Sequence, residues 1–100
     1  MVKHIVMWRL AAEGTAEREA AAAEIRELLE SIPALVPRVR SLEVGVNALP
    51  GDRASDIVLT TSPDGWPALR GYAVHPEHVR IAARIGELTA ERRSADYEIA

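Results

Sequence analysis

The order and spacing of the apolar residues predict an α+β sandwich, in which helices cover one face of a four-stranded antiparallel sheet. The chain of 100 residues is long enough for one domain and too short for two. Segments with the residue patterns of strands and of helices occur in the order strand, helix, strand, strand, short helix with helix, strand. Apolar residues make up 48% and charged residues 27%, which fits a globular protein and excludes a disordered chain.

The first part of the chain predicts a strand followed by a helix. Successive side chains of residues 3–10 point to opposite faces of the strand. One face carries His4, Val6, Trp8 and Leu10, and the other carries Ile5 and Met7. Thr15 is expected to cap an amphipathic helix that runs to Ile32, and Pro33 is expected to stop it.

The remaining elements complete two split strand-helix-strand units. We predict strands over 40–46, 56–61 and 94–100, and helices over 66–72 and from Pro76 to about Thr89. The first two of these strands form a hairpin with a turn-rich loop. Elements in this order fold as a ferredoxin-like α+β sandwich.

Two of the predicted strands are apolar on both faces. The third strand has Ile57 and Leu59 on one side and Val58 on the other, and the first strand behaves similarly. Such strands require cover on both faces, but the helices cover only one. We therefore expect a homodimer, joined through the sheet faces that carry no helix.

Composition excludes several classes of function. With 12 basic and 15 acidic residues, the net charge of −3 argues against a nucleic-acid partner. The absence of cysteine excludes a disulfide scaffold and a thiolate zinc site. The N-terminal residues lack the order of a signal peptide and no segment is apolar enough to span a membrane, so a cytoplasmic protein is expected. No glycine-rich phosphate loop or nucleophile elbow occurs, and no cofactor is expected.

Residues 72–78 contain the highest density of functional groups. His78 is in helical register with apolar positions further along the chain, namely Ile81, Ala82, Ile85 and Leu88. The side chain should therefore point towards the core, where a half-solvated imidazole acts as an acid or base near neutral pH. The alternative is a structural histidine whose ring nitrogens are satisfied by hydrogen bonds.

Three further side chains have both a functional and a structural interpretation. His75 either caps the following helix or faces solvent, and His4 either lines the interior or is exposed near the strand end. Asp96 is expected to be exposed, but a carboxylate that reached His78 would hold one tautomer of the imidazole. His75 and His78 straddle a helix start and match no metal-binding pattern, so we expect no metal site.

Five segments together resemble the Dabb family of stress-responsive dimeric A/B-barrel proteins. They are Lys3–Leu10, Ser41–Asn47, Asp56–Leu59, Tyr72–His78 and Asp96–Glu98. The resemblance covers residues 1–100 as a single domain and implies a dimeric α/β-barrel formed by two sheets. Its first functional implication is a small dimeric protein that binds a small apolar ligand between sheet and helices.

The resemblance also implies two enzymatic alternatives. A plant polyketide cyclase of the family uses a histidine and a tyrosine as an acid–base pair without a cofactor, which implies catalytic roles for His78 and Tyr72. Asp96 would then orient the histidine, and His4 would line the pocket together with His75. Relatives often have Phe-x-Ser-x-x-x-Leu where this chain has 63–69, so Trp66 is expected to line the pocket or fill it. The second alternative is a monooxygenase of the wider barrel superfamily.

Overall fold

A computed structural model describes residues 1–99, in which four strands form one sheet with order β2-β3-β1-β4 and antiparallel neighbours. The elements are β1 (Val2–Leu10), α1 (Thr15–Glu30), α2 (Ile32–Leu35), β2 (Val39–Val46), β3 (Ile57–Pro63), α3 (Trp66–Val74), α4 (Pro76–Leu88) and β4 (Thr89–Glu98). The predicted ferredoxin-like α+β fold is confirmed. Ala100, the last residue of the predicted domain and strand, lies outside the described residues.

The core lies between the helices and one face of the sheet. Alternation in β1 places Val6 and Trp8 under the helices, next to Ile57 and Leu59 of β3. The helices contribute Ile25, Leu29, Ile32, Ile81 and Ile85, all buried. Burying a branched aliphatic side chain contributes about 1.5–3 kcal/mol, so this layer provides most of the stability.

The first helix differs from its prediction at both ends. Gly14 is the N-cap residue and no side chain caps the helix, so the expected cap by Thr15 is wrong. The helix ends at Glu30, one residue before Ser31, whose hydroxyl donates to the carbonyl of Leu28. Pro33 then lies at the start of α2 instead of stopping α1, because a proline in a first helical turn needs no N–H partner.

The last strand begins five residues earlier than predicted, directly after α4. Thr89 follows Leu88 without a connecting loop, and its hydroxyl donates to the carbonyl of Ile85. β4 is an edge strand exposed along most of its length, so polar residues occupy both faces of its first half and no alternation marks them. The β1–β4 pairing also brings the backbones of Met1 and Ile99 into hydrogen-bond contact.

Asp56 connects the end of β1 to α1 and the start of β3. Its carboxylate accepts hydrogen bonds from the backbone N–H of Leu10, at 2.8 Å, and from Arg18, at 2.5 Å. Its own N–H donates to the carbonyl of Trp8. These bonds tie together the adjacent ends of the two central strands and the first helix.

The face of the sheet away from the helices is open and partly apolar. Side chains on this face include Ile5, Met7, Val58, Ala95 and Tyr97, placed there by the strand register. Met7 is 40% exposed and Tyr97 is 44% exposed. Among the described residues, no helix is long and apolar enough to cross a bilayer.

Candidate functional site

A cavity of about 120 Å³ lies between the sheet and the helices. Its apolar walls come from the core, and its polar groups come from β1, α3, α4 and β4. The lining residues used below are His4, Trp8, Tyr72, His78, Gly86 and Arg92. A mostly apolar hollow with a few convergent polar groups is the usual form of a small-molecule site.

Tyr72 lies between two imidazole rings. Its side chain is near the end of α3 and the residue is only 5% exposed. The ring centroid is 4.2 Å from that of His78 and 5.7 Å from that of His4, with the His4 contact edge-on. Burial raises the pKa of Tyr72 to about 12, against a smaller opposing effect of Arg92. The hydroxyl therefore stays protonated at neutral pH and is able to donate a hydrogen bond.

His78 enters the cavity from the first turn of α4, on the apolar face of that helix. Its Nδ1 atom is 3.1 Å from the carbonyl oxygen of Ala73. Because a carbonyl only accepts hydrogen bonds, Nδ1 carries the proton in the neutral ring and Nε2 keeps a free lone pair. Burial lowers the pKa of His78, partly opposed by the bond to Ala73. The ring is therefore neutral at pH 7 and suited to act as a base.

Asp96 lies beside His4 and not beside His78. Asp96 and His4 face each other on the paired strands β4 and β1, and the Asp96 carboxylate contacts Nδ1 of His4. His4 itself is 6% exposed, so its interior alternative is the one observed. The sequence does not show the register between the first and last strands, which explains the different partner. The orienting group of His78 is the backbone carbonyl of Ala73.

His75 and Trp66 lie outside the residues that line the cavity. His75 is the N-cap residue of α4, and its Nδ1 accepts the backbone N–H of Glu77 at 3.1 Å. Trp66 begins α3 and is 36% exposed. Trp66 is therefore not among the residues that line the cavity, and it does not fill it.

Within residues 1–99, no group of three or more His, Asp or Glu side chains is arranged to hold a metal ion. Two contacts instead organise polar side chains at the cavity: the lining residue His4 pairs with Asp96 behind it, and Tyr72 contacts His78. Such pairs are able to bind polar atoms of a ligand and to move protons.

Arg92 and Gly86 line the cavity but were absent from the sequence-based candidates. Arg92 falls in the part of β4 that was not predicted as a strand. Extending the alternation of Asp96 and Ser94 back by one step would have placed Arg92 on the same face. Gly86 lies on the helix face that begins with His78, four residues after Ala82, and helical spacing alone indicates its position.

Comparison with known proteins identifies the family. The model of the stress responsive A/B barrel domain, Dabb, matches residues 2–99. No functionally curated protein sequence matches the chain. A dimeric protein of unknown function and ferredoxin-like fold from Bacteroides fragilis NCTC 9343 is 33% identical, with a TM-score of 0.87 over 98% of this chain and 95% of that one.

Two more distant structures share the fold. A dimeric ferredoxin-like protein of unknown function from Thermobifida fusca YX is 21% identical, with a TM-score of 0.81 over 98% of this chain and 90% of that one. The hydroxynitrile lyase from Passiflora edulis is 16% identical, with a TM-score of 0.82 over 99% of this chain and 93% of that one. Given the family match over residues 2–99, this chain belongs to the Dabb family of stress responsive A/B barrel domains.

Proposed function

We propose that this protein is a homodimer, joined through the open sheet faces, in which each subunit binds a small and mostly apolar ligand in its cavity. The proposal of a ligand rests on the cavity itself. Its apolar walls surround the polar side chains of Tyr72, His78 and His4, and His4 is paired with Asp96. The apolar open face and the dimeric relatives support the homodimer. The cysteine-free composition supports a reducing location such as the cytoplasm, and the net charge of −3 argues against nucleic acid as a partner.

Trp8 provides a direct test of ligand binding because it lines the cavity. In a Trp66→Phe background, Trp8 is the remaining tryptophan and reports on the hollow alone. We expect at least one of three probes, 4-methylbenzoate, 4-methylbenzamide and 4-methylacetophenone, to change its fluorescence saturably. Failure of all three to do so would contradict the proposal.

A variant pair separates binding in the cavity from binding elsewhere. A Cβ added at Gly86 meets no atom within 4 Å, and Gly86 lines the cavity, so we expect the larger side chain of Gly86→Leu to obstruct it. Ala83→Leu adds the same bulk on the exposed side of α4. Binding should disappear in Gly86→Leu and persist in Ala83→Leu. Equal binding by both variants would place the ligand outside the cavity.

The second candidate function is cofactor-independent acid–base catalysis, as in a polyketide-cyclase-like enzyme. The contact between Tyr72 and the neutral ring of His78 favours it. Nε2 of His78 would remove a proton from the carbon next to a ligand carbonyl, and the Tyr72 hydroxyl would donate to the resulting enolate oxygen. The monooxygenase alternative rests only on the shared fold.

Deuterium exchange tests the acid–base chemistry without knowledge of the natural substrate. In heavy water, the acetyl protons of 4-methylacetophenone should exchange faster with the protein than without it, as followed by NMR. His78→Gln should remove about 10²–10⁴-fold of any acceleration, and Tyr72→Phe should reduce it. Exchange at the parent rate in His78→Gln would eliminate this mechanism.

A further inference from the structure

Arg92 provides a cation at the cavity wall. It lies on β4 opposite Trp8 in the strand register, so both side chains belong to the face of the sheet that the helices cover. Both residues line the cavity, but Trp8 is buried and Arg92 is exposed. Arg92 therefore lies where the cavity opens to solvent.

The guanidinium of Arg92 has no carboxylate partner within 4.0 Å among residues 1–99. The acidic neighbours on its strand are already paired, Asp96 with His4 and Glu91 with Arg93 on the opposite face of the sheet. Its own side-chain hydrogen bond is a long one, from Nη1 to the hydroxyl of Ser94 at 3.4 Å. The charge is thus available to a ligand.

Small residues on α4 leave the approach to this charge open. Ala82 and Gly86 line the same cavity and are exposed. A Cβ on Gly86 would meet nothing within 4 Å, which shows that the space beside this helix is empty. A ligand at this entrance would contact α4 on one side and the Arg92 strand on the other.

Charge at the entrance makes the cavity selective. A neutral ligand in the hollow would remove water from the guanidinium without replacing its hydrogen bonds, which is unfavourable. A carboxylate would replace that water with charge-assisted hydrogen bonds, and its planar oxygens match the fork of an arginine. The positive charge also acts on the interior. Burial raises the pKa of Tyr72 and Arg92 opposes that effect, whereas burial and Arg92 both lower the pKa of His78.

We propose that the cavity selects small organic acids, with the carboxylate paired to Arg92 at the entrance and the apolar body against Trp8 and the buried side chains of α4. This inference rests on the proposed ligand-binding function and names the chemical class of the ligand. It also assigns recognition of the charged group to Arg92 and not to His4 or His78.

The test compares two probes of the same shape, 4-methylbenzoate and its uncharged analogue 4-methylbenzamide, by calorimetric titration of the full chain. The parent should bind the carboxylate more tightly than the amide. Arg92→Gln should weaken carboxylate binding roughly tenfold or more without weakening amide binding, so that the preference for the carboxylate is lost, and Arg92→Lys should recover part of the loss. Arg70→Gln removes the same charge from an exposed arginine of α3 outside the cavity and should change neither affinity.

The outcomes separate this inference from the function on which it rests. If the amide binds the parent as tightly as the carboxylate, or if Arg92→Gln keeps the preference for the carboxylate, the organic-acid inference is overturned and the ligand cavity stands. If neither probe binds the parent and 4-methylacetophenone also fails to do so, the proposed function and the inference fail together. Circular dichroism of each variant confirms that a lost affinity is not a lost fold.

Discussion

Tyr72 connects the polar groups of the cavity, because its ring contacts an imidazole on either side. Its aromatic body fills core space, while its hydroxyl remains a donor at neutral pH. The inward direction of His78 was predictable from helical spacing. The pairing of the other neighbour, His4, with Asp96 was not predictable from any local pattern. A contact between residues 92 apart depends on strand register, and register is set by the packing of the whole sheet.

His78 makes the stability of the fold dependent on pH. Burial lowers its pKa in the folded state below the ordinary value of 6.5, so in that range the unfolded chain binds more protons. The free energy of unfolding should therefore fall as the pH is lowered through 6.5, until the folded-state pKa is passed. Urea denaturation between about pH 7.5 and 5.5 measures this loss. His78→Gln should show a shallower pH dependence, and equal slopes would contradict the prediction.

Asp56 is the polar residue whose removal should cost the most stability outside the cavity. Asp56→Asn loses the ion pair with Arg18 and weakens the bond to the N–H of Leu10, both in a partly buried setting. Bonds to charged groups contribute about 1.5–3 kcal/mol, so we expect a loss of that order in the free energy of unfolding. Asp52→Asn, in an exposed loop, is the control and should change it little. A similar small effect at both positions would show that the Asp56 bonds do not stabilise the fold.

The elements α3 and α4 meet at a single residue, His75, which ends one helix and caps the other. Proline after His75 and the amphipathic pattern of α4 made this helix predictable from sequence. β4 was only half predicted, because an exposed edge strand needs no apolar face along its first residues. The unpredicted half contains Arg92, so the error in the strand boundary also concealed a residue of the cavity.

Gly86 inside α4 and Gly65 at the N-cap of α3 should respond in opposite ways to the same substitution. Gly86 lies inside α4 with open space around it, so Gly86→Ala should raise the free energy of unfolding by about 0.5–1 kcal/mol. Gly65 caps α3 with φ of +148°, which an alanine adopts only with strain, so Gly65→Ala should lower it by about 1–3 kcal/mol. Thermal denaturation of both variants measures the two shifts. Shifts of the same sign would contradict this assignment.

At the scale of the whole molecule, one face of the sheet is not covered by the helices. It carries Ile5, Met7, Val58, Ala95 and Tyr97, and two strands contribute apolar side chains to both faces of the sheet. The two-sided pattern was visible in the sequence because period-two alternation failed in those strands. The sequence does not show what covers this face. We propose that a second copy of the chain does so in a homodimer.

A charge placed on this face should separate the subunits without unfolding them. Met7 is 40% exposed in one subunit and lies opposite Arg93, so Met7→Glu is tolerated there. In a sheet-on-sheet interface the same glutamate would be buried, at a cost of several kcal/mol to association. Light scattering at micromolar concentration should give a dimer mass for the parent and a monomer mass for Met7→Glu. Val74→Glu, on the exposed surface of α3, should remain dimeric. A monomeric parent would refute the proposed assembly.

The pairing of β1 with β4 also determines when the cavity forms during synthesis. β1 leaves the ribosome first and finds β3 on one edge, but its other edge has no partner until the residues of β4 emerge. Until then Trp8 and Val6 lack part of their cover, Arg92 is missing from the cavity wall, and His4 has no Asp96 to pair with. A nascent chain that stops before Thr89 therefore exposes an unpaired strand edge, which promotes aggregation. The cavity is therefore complete only after the last strand has been translated.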